Sequence, residues 1–234
     1  MRSVEILTEV EDSRGLRRAL LCRYDVRSAV ATADLWFDPI CPWAWVVSRW
    51  LTEVERVRDV HMRPHVMSLA VLNEFASGVA DGKVAGQDRE WAPVRVMTVT
   101  GMSLGDQSVR DLYAALGQLI HVERMPVGRD LFALALGRAG LPHSLANAAN
   151  DPFYDSFVRA SHHAGADPLG DIAACPVMHV AGPDGAPVGF VGPLVTPYPR
   201  GEAAGRLWDA VALAAATEGF FSLRRLITRT PDPG

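Results

Sequence analysis

Three cysteines, Cys22, Cys41 and Cys175, are the strongest nucleophiles in this 234-residue chain, and one of them stands in a setting built for reactivity. Cys41 lies at the joint of D-L-W-F-D-P-I-C-P-W-A-W-V-V-S-R-W, Asp34 to Trp50, where an apolar strand pattern gives way to a helical one. A thiol at the first turn of a helix faces unsatisfied backbone N–H groups and the positive end of the helix dipole, and both favour thiolate over thiol. Pro42 suits that first turn because it has no N–H to lose and its φ is already near helical. One helical turn on, where a Cys-x-x-Cys site carries the cysteine that releases a mixed disulfide, the residue is Ala44. The motif is a monothiol. Release of Cys41 therefore requires an outside thiol, another cysteine, or a substrate that frees the sulfur itself.

The remaining candidates are weaker. His162 and His163 close a predicted helix beside a glycine, where an imidazole near the thiolate would raise the local positive potential or move protons. A pair of histidines at a helix C-terminus is also favoured by the dipole alone. His61 and His65 have the i,i+4 spacing of a helical metal pair, but their segment reads as strand, Pro64 intervenes and no third ligand completes the set, so no metal site is expected. Trp43, inside the motif, is better placed to touch substrate than Trp36, Trp45 and Trp50, which read as core. The glycines of residues 78–86 have no phosphate-cradle spacing and make either a lid or a connector.

The elements that must hold Cys41 follow from the pattern. Residues 32–37 form a strand, the helix runs from Cys41 to about Arg58, and residues 60–67 form a second strand, giving a β-α-β unit. Pro64 cannot donate to a ladder and marks that strand as an edge. Helical periodicity then dominates residues 68–171, with four or five helices around Trp91 to Val99, Leu112 to Ile120, Leu131 to Leu136 and Phe153 to Ser161. A hairpin follows, Val177 to Ala181 and Pro187 to Val191 about the turn Gly182-Pro183-Asp184-Gly185. A last helix is expected from Gly201 to about Ala216. Residues 1–31 read as an extension in which Leu16, Ala19, Leu20 and Arg23 suit a short helix.

Hydrophobic residues make up 49% and charged residues 21%, the composition of a globular domain with room for a sizeable core. A formal net charge of −4 gives no basic footprint, so neither nucleic acid nor an acidic membrane surface is expected as a partner. Three scattered cysteines make no disulfide framework and point to a reducing compartment. With no signal-peptide pattern and no membrane-length apolar run, the expected location is the cytoplasm.

The order of elements resembles the thioredoxin fold of the DsbA family: β-α-β, a helical insertion, then a proline before β-β-α. The runs F-D-P-I-C-P-W-A-W (Phe37 to Trp45), H-V-M-S-L-A-V-L-N-E (His65 to Glu74), S-H-H-A-G (Ser161 to Gly165) and P-R-G-E-A-A-G-R-L-W-D-A (Pro199 to Ala210) resemble the actinobacterial mycothiol-dependent nitroreductase branch of that family. The resemblance implies an α/β chain of a thioredoxin-like domain (32–67 and 172–225), an inserted all-helical subdomain (68–171), an N-terminal extension (1–31) and a C-terminal tail (226–234). It implies Cys41 as the nucleophile, Pro42 and Trp43 beside the bound thiol or substrate, Asn73 as a polar contact in the cleft, and Pro176 as a cis-proline facing the thiol. Cys175, directly before Pro176, would then lie near Cys41 and is either a second redox thiol or a small buried one. The implied activity is a thiol-dependent oxidoreductase acting on a small apolar electrophile, with mycothiol or another small thiol as co-substrate and no tightly bound cofactor. Two alternatives stand beside it: a redox-neutral E/Z isomerase working by reversible Cys41 addition to a conjugated acyl chain, and a non-catalytic binding protein.

Overall fold

The computed structural model describes residues 4–11, 17–24, 31–77, 87–182 and 184–234. The glycine-bearing segment 78–86 lies outside them. Two compact units result, residues 1–30 and 31–234.

In the first unit, β1 (Val4–Glu11) and β2 (Arg17–Tyr24) pair antiparallel, with Glu5 opposite Arg23 and Glu11 opposite Arg17. This corrects the helix expected across Ala19, Leu20 and Arg23. Val4, Ile6, Thr8 and Val10 alternate β-branched residues at a period of two, and a partner strand of matching length outcompetes an isolated short helix.

The second unit carries a four-stranded sheet in the order β4-β3-β5-β6: β3 (Ala31–Phe37), β4 (Val60–Val66), β5 (Val177–Ala181) and β6 (Pro187–Val191). β3 runs parallel to β4 and antiparallel to β5, and β5 and β6 form the hairpin. Pro64 sits on the edge strand β4, in register with Leu35, where a missing N–H on the outer side breaks no ladder.

Seven α-helices surround this sheet among the described residues: α1 (Pro42–Glu55), α2 (Leu69–Ser77), α3 (Gln87–Leu104), α4 (Asp106–Gly117), α5 (Arg129–Arg138), α6 (Asp155–Ala166) and α7 (Glu202–Ala215). A π-turn at Gln118–Val122 extends α4, and short 3₁₀ segments flank α6. Helices α2 to α6 are inserted between β4 and β5 in chain order, yet their apolar residues share one core with the sheet. None of the described helices is long and apolar enough to cross a membrane.

Alternation along β3 sets the layers. Phe37 points to one side and stacks on Tyr113 of α4 at 3.7 Å, and Tyr113 in turn meets Trp45 of α1 edge-on. Trp36 points to the other side, where its indole N–H donates to Ser161 O of α6 at 2.8 Å and its ring stacks on His65 at 4.2 Å. α1 is buried on nearly all sides, through Ala44, Trp45, Val46, Val47, Ser48, Trp50, Leu51 and Val54. A helix packed on a sheet alone buries one face. The surplus is explained by α7, which packs beside α1 and also touches β5: Trp50 donates to Ala204 O at 3.2 Å, and Arg58 forks onto Glu202 and Asp209.

The fit of α6 on Trp36 leads to a prediction. A Cβ at Gly165 would lie 2.4 Å from Trp36 Cγ, and Trp36 is held by Ser161, His65 and His179, so it cannot retreat. Gly165→Ala gains up to about 1 kcal/mol of helix propensity. Overpacking costs about 3 kcal/mol here, so a net loss of about 2 kcal/mol is expected as a lower denaturant midpoint.

Candidate active site

Cys41 is the N-cap of α1, with extended backbone (φ −77°, ψ 114°) and Pro42 at the first helical position. Its Sγ accepts from Ala44 N–H at 3.5 Å, while Trp45 N–H bonds its carbonyl at 3.1 Å. The thiol is thus the side-chain cap of a helix that cannot move without disturbing the core. Cys41 is only 4% exposed.

Cys175 meets it from the loop before β5. The Cys41 thiol donates to Cys175 O at 3.5 Å, and Cys175 Sγ accepts from Asp38 N–H at 3.4 Å. The Cys175–Pro176 peptide bond is cis, and Pro176 O accepts from Gly192 N–H at 2.9 Å. A hydrogen bond from the Cys175 thiol holds the Cys41 pKa below the usual thiol value; the amides of Ala44 and Trp43 add to this, while burial and Asp38 oppose it. Burial pushes Cys175 the other way, well above the usual value, and the neighbouring Cys41 charge adds to the shift. The first proton to leave the pair is therefore that of Cys41.

Asp38 is the buried charged residue of the site that sequence reasoning missed. Its carboxylate is fully buried and accepts two backbone N–H groups, from Ile40 at 3.0 Å and from Leu69 at 2.8 Å. Burial raises its pKa to about 7 against the opposing pull of those two bonds. Asp38 also closes the turn itself, through Cys41 N–H to Asp38 O at 3.0 Å. On the far side, the buried His121 donates from Nε2 to Pro39 O at 2.9 Å, and burial lowers its pKa. The D-P-I-C turn is therefore gripped from the π-turn, from the start of α2 and from the loop before β5.

Trp43 is partly exposed beside the thiol, and Pro42 is exposed. Asn73 sits exposed on α2, the helix whose first amide holds Asp38. His162 and His163 have other work. His162 is buried and accepts Ser68 N–H on Nδ1 at 3.3 Å, while His163 pairs at 2.9 Å with Asp167, the C-cap of α6. Neither of these two bonds is made to the Cys41 sulfur. Nor do His61 and His65 converge: His61 faces Glu55 and His65 faces Asp34. No group of three or more His, Cys, Asp or Glu among the described residues is arranged to hold a metal.

The motif runs of the resemblance gain a physical reading. In S-H-H-A-G, Ser161 O takes the Trp36 indole, Ser161 Oγ donates to Val66 O, His162 takes Ser68 N–H, and Gly165 O accepts from His179. That run docks α6 on three strands. In P-R-G-E-A-A-G-R-L-W-D-A, Gly201 N–H reaches Glu53, Gly205 admits the Arg58 guanidinium, and Ala204 O takes Trp50. That run docks α7 on α1. A cleft of about 530 Å³ lies further along α1, walled by Trp45, Arg49, Gln118, Arg138 and the C-terminal Pro233 and Gly234; Cys41 is not among its walls.

His162 carries a pH prediction. Burial depresses its pKa from 6.5 to about 4, so the unfolded chain takes up the proton first as pH falls. Its contribution to stability is complete above about pH 6.5 and is lost as pH falls towards about 4, a change of about 3 kcal/mol. Denaturant midpoints across that window should fall in the native chain and fall less in His162→Gln.

A helix-capping thiol set opposite a cis-proline, on a sheet of order β4-β3-β5-β6 with helices inserted before β5, defines a thioredoxin-fold protein of the DsbA type. Residues 40–225 match the Rv2466c-like family, described as mycothiol-dependent nitroreductase Rv2466c, and the chain belongs to that family. It is 28% identical over 211 residues to the uncharacterized protein Rv2286c of Mycobacterium tuberculosis, covering 84% of this chain and 82% of that one. Among solved structures it is similar to a probable DsbA oxidoreductase from Streptomyces coelicolor, with TM-score 0.51, 18% identity, and 87% and 97% of the two chains covered. It is also similar to a 2-hydroxychromene-2-carboxylate isomerase, with TM-score 0.51, 12% identity, and 78% and 93% covered. At these identities the two structures speak for the fold alone.

Proposed function

We propose that this chain is a thiol-dependent oxidoreductase in which the Cys41 thiolate is the nucleophile and a small thiol of the mycothiol kind is the electron donor. The observation that carries the reading is the Cys41 sulfur capping α1, held towards thiolate by a hydrogen bond from Cys175 and by the Ala44 amide. Membership of a family described as mycothiol-dependent nitroreductase supports it. In the first half-reaction, Cys41 S⁻ attacks one sulfur of a disulfide, a Cys41–S bond forms, the S–S bond breaks, and one thiolate departs. For a substrate other than a disulfide, two thiols becoming one disulfide supply the two electrons and two protons. The partly exposed Trp43 offers an apolar wall to a small electrophile. A reducing cytoplasm is the compartment in which such a thiol pool is maintained.

The test is mass spectrometry of the full chain after exposure to an oxidised small thiol. It is expected to show one adduct, mapped to Cys41. Parallel assays with nitroaromatic, disulfide and polyene thioester substrates, each with and without thiol, discriminate the alternatives. Thiol-dependent turnover supports the reading. E-to-Z conversion without consumption of thiol would replace it with the isomerase, and no Cys41 adduct and no turnover would leave a binding protein.

A further inference from the structure

Each of the two buried thiols has its own backbone donor. Ala44 N–H points at Cys41 Sγ at 3.5 Å and Asp38 N–H at Cys175 Sγ at 3.4 Å, and both amides belong to the same turn and helix start. A cysteine that served only to fill space would need no such donor; free buried cysteines normally act as small hydrophobes. The register explains the meeting. Trp36 of β3 is paired with Val177 of β5, so the residues that follow β3 and those that precede β5 leave the sheet at the same end. Cys41 and Cys175, 134 positions apart, converge there. Both are free in this structure and almost wholly shielded from water, at 4% and 9% exposure.

We propose that Cys175 is the resolving thiol of Cys41, so that the chain is a dithiol enzyme whose second sulfur comes from the loop before β5 instead of from the helix. The proposal rests on the Cys41 mixed disulfide of the proposed function. Its step is Cys41–S–S–R plus Cys175–SH giving Cys41–S–S–Cys175 plus RSH. The new bond joins Cys175 Sγ to Cys41 Sγ, the Cys41–S–R bond breaks, Cys175 is oxidised, R–S is reduced, and the Cys175 proton leaves on RSH. Two equivalents of the small thiol then return the pair to dithiol and are themselves oxidised to one disulfide.

The electrostatics time this step. While Cys41 is a thiolate, its charge and its hydrogen bond keep the Cys175 proton in place. Capture of Cys41 by a mixed disulfide removes both influences, and the Asp38 amide then favours the Cys175 thiolate against the burial and the Asp38 charge that remain. Capture of the first thiol thereby makes the second easier to ionise. The methyl of Ala44, fully buried under the cap, leaves no other sulfur in the motif to compete.

The experiment uses the full chain treated with one equivalent of oxidised glutathione as probe, quenched by acid over time, and examined as intact protein and as peptides. The expected result is a Cys41 adduct that loses the glutathione and gives way to a product two hydrogens lighter than the reduced chain, with one peptide joining Cys41 to Cys175. Cys175→Ser should hold the Cys41 adduct at least about ten times longer, and Cys175→Ala should do the same if serine disturbs folding. Cys22→Ser should behave as the native chain. An adduct equally long-lived in native and Cys175 variants, or a linked peptide containing Cys22, would overturn the inference while leaving the proposed function intact. Absence of any Cys41 adduct in the native chain and in both Cys175 variants would overturn the reading on which it rests.

Discussion

Cys41→Ser should remove thiol-dependent turnover by on the order of a thousandfold or more, with the fold retained. Serine keeps the oxygen as a helix cap, so Ala44 N–H still finds an acceptor and α1 still begins at the same place. What it loses is the ionisable sulfur, because an alcohol forms no disulfide and stays protonated at neutral pH. The measurement pairs steady-state turnover with a thermal melt. Loss of turnover at an unchanged melting temperature is the expected outcome. Substantial activity in the serine variant would transfer the chemistry away from the start of α1.

Asp38→Asn is expected to reshape the pH dependence of stability. In the folded chain the Asp38 carboxyl titrates at about 7, against 3.8 for an ordinary aspartate. The unfolded chain therefore gives up this proton first. The stabilisation is fully present below about pH 4 and is lost as pH rises through about 7, which amounts to about 4 kcal/mol. Asparagine does not ionise, so the unfolding free energy of the variant should lack this downward slope. At low pH the variant is the weaker protein, because its amide accepts from only one of Ile40 and Leu69 and turns a donor towards the other. A second readout separates this residue from a merely structural one. The Asp38 charge opposes ionisation of Cys41, so the variant's Cys41 should alkylate at lower pH than the native thiol. Identical pH slopes in the two proteins would show that the carboxyl is not the titrating group. Asp38 and His162 act in opposite senses across the acid range, so the two single variants together dissect the native curve.

What the sequence made legible was what short-range rules govern. Cys41-Pro42 set the start of α1 because a cap and a proline act within one turn. The turn Gly182-Pro183-Asp184-Gly185 set the hairpin, and β5 and β6 have the expected bounds. The first unit was misread because a strand in a two-stranded ribbon and a short helix share an apolar count, and only the alternation of Val4, Ile6, Thr8 and Val10 separates them. Asp38 was invisible for another reason. Asp-Pro is an ordinary turn pair, and nothing near it says that Leu69, 31 residues on, will supply an amide and a lid against water. His121 on Pro39 O and Tyr113 on Phe37 are likewise made by tertiary packing alone. His162 was legible as a residue of interest but not in role, since its partner Ser68 follows from how α6 lies on the sheet, whereas the partner of His163, Asp167, is only four residues on.

The indoles of Trp36, Trp45 and Trp50 each donate to a carbonyl far away in the chain, Ser161, Pro233 and Ala204. These contacts make the protein its own optical gauge. Each indole reports on a different junction: α6 on the sheet, the C-terminal residues on α1, and α7 on α1. Single tryptophan-to-phenylalanine replacements would assign the emission bands, after which a red shift in one band locates the junction that has opened. Trp45 stands one turn beyond Cys41 on α1 and stacks on His121 at 5.9 Å. Its fluorescence lifetime, followed while the native chain and Cys41→Ser are oxidised and reduced, is the readout to compare for a label-free record of that sulfur.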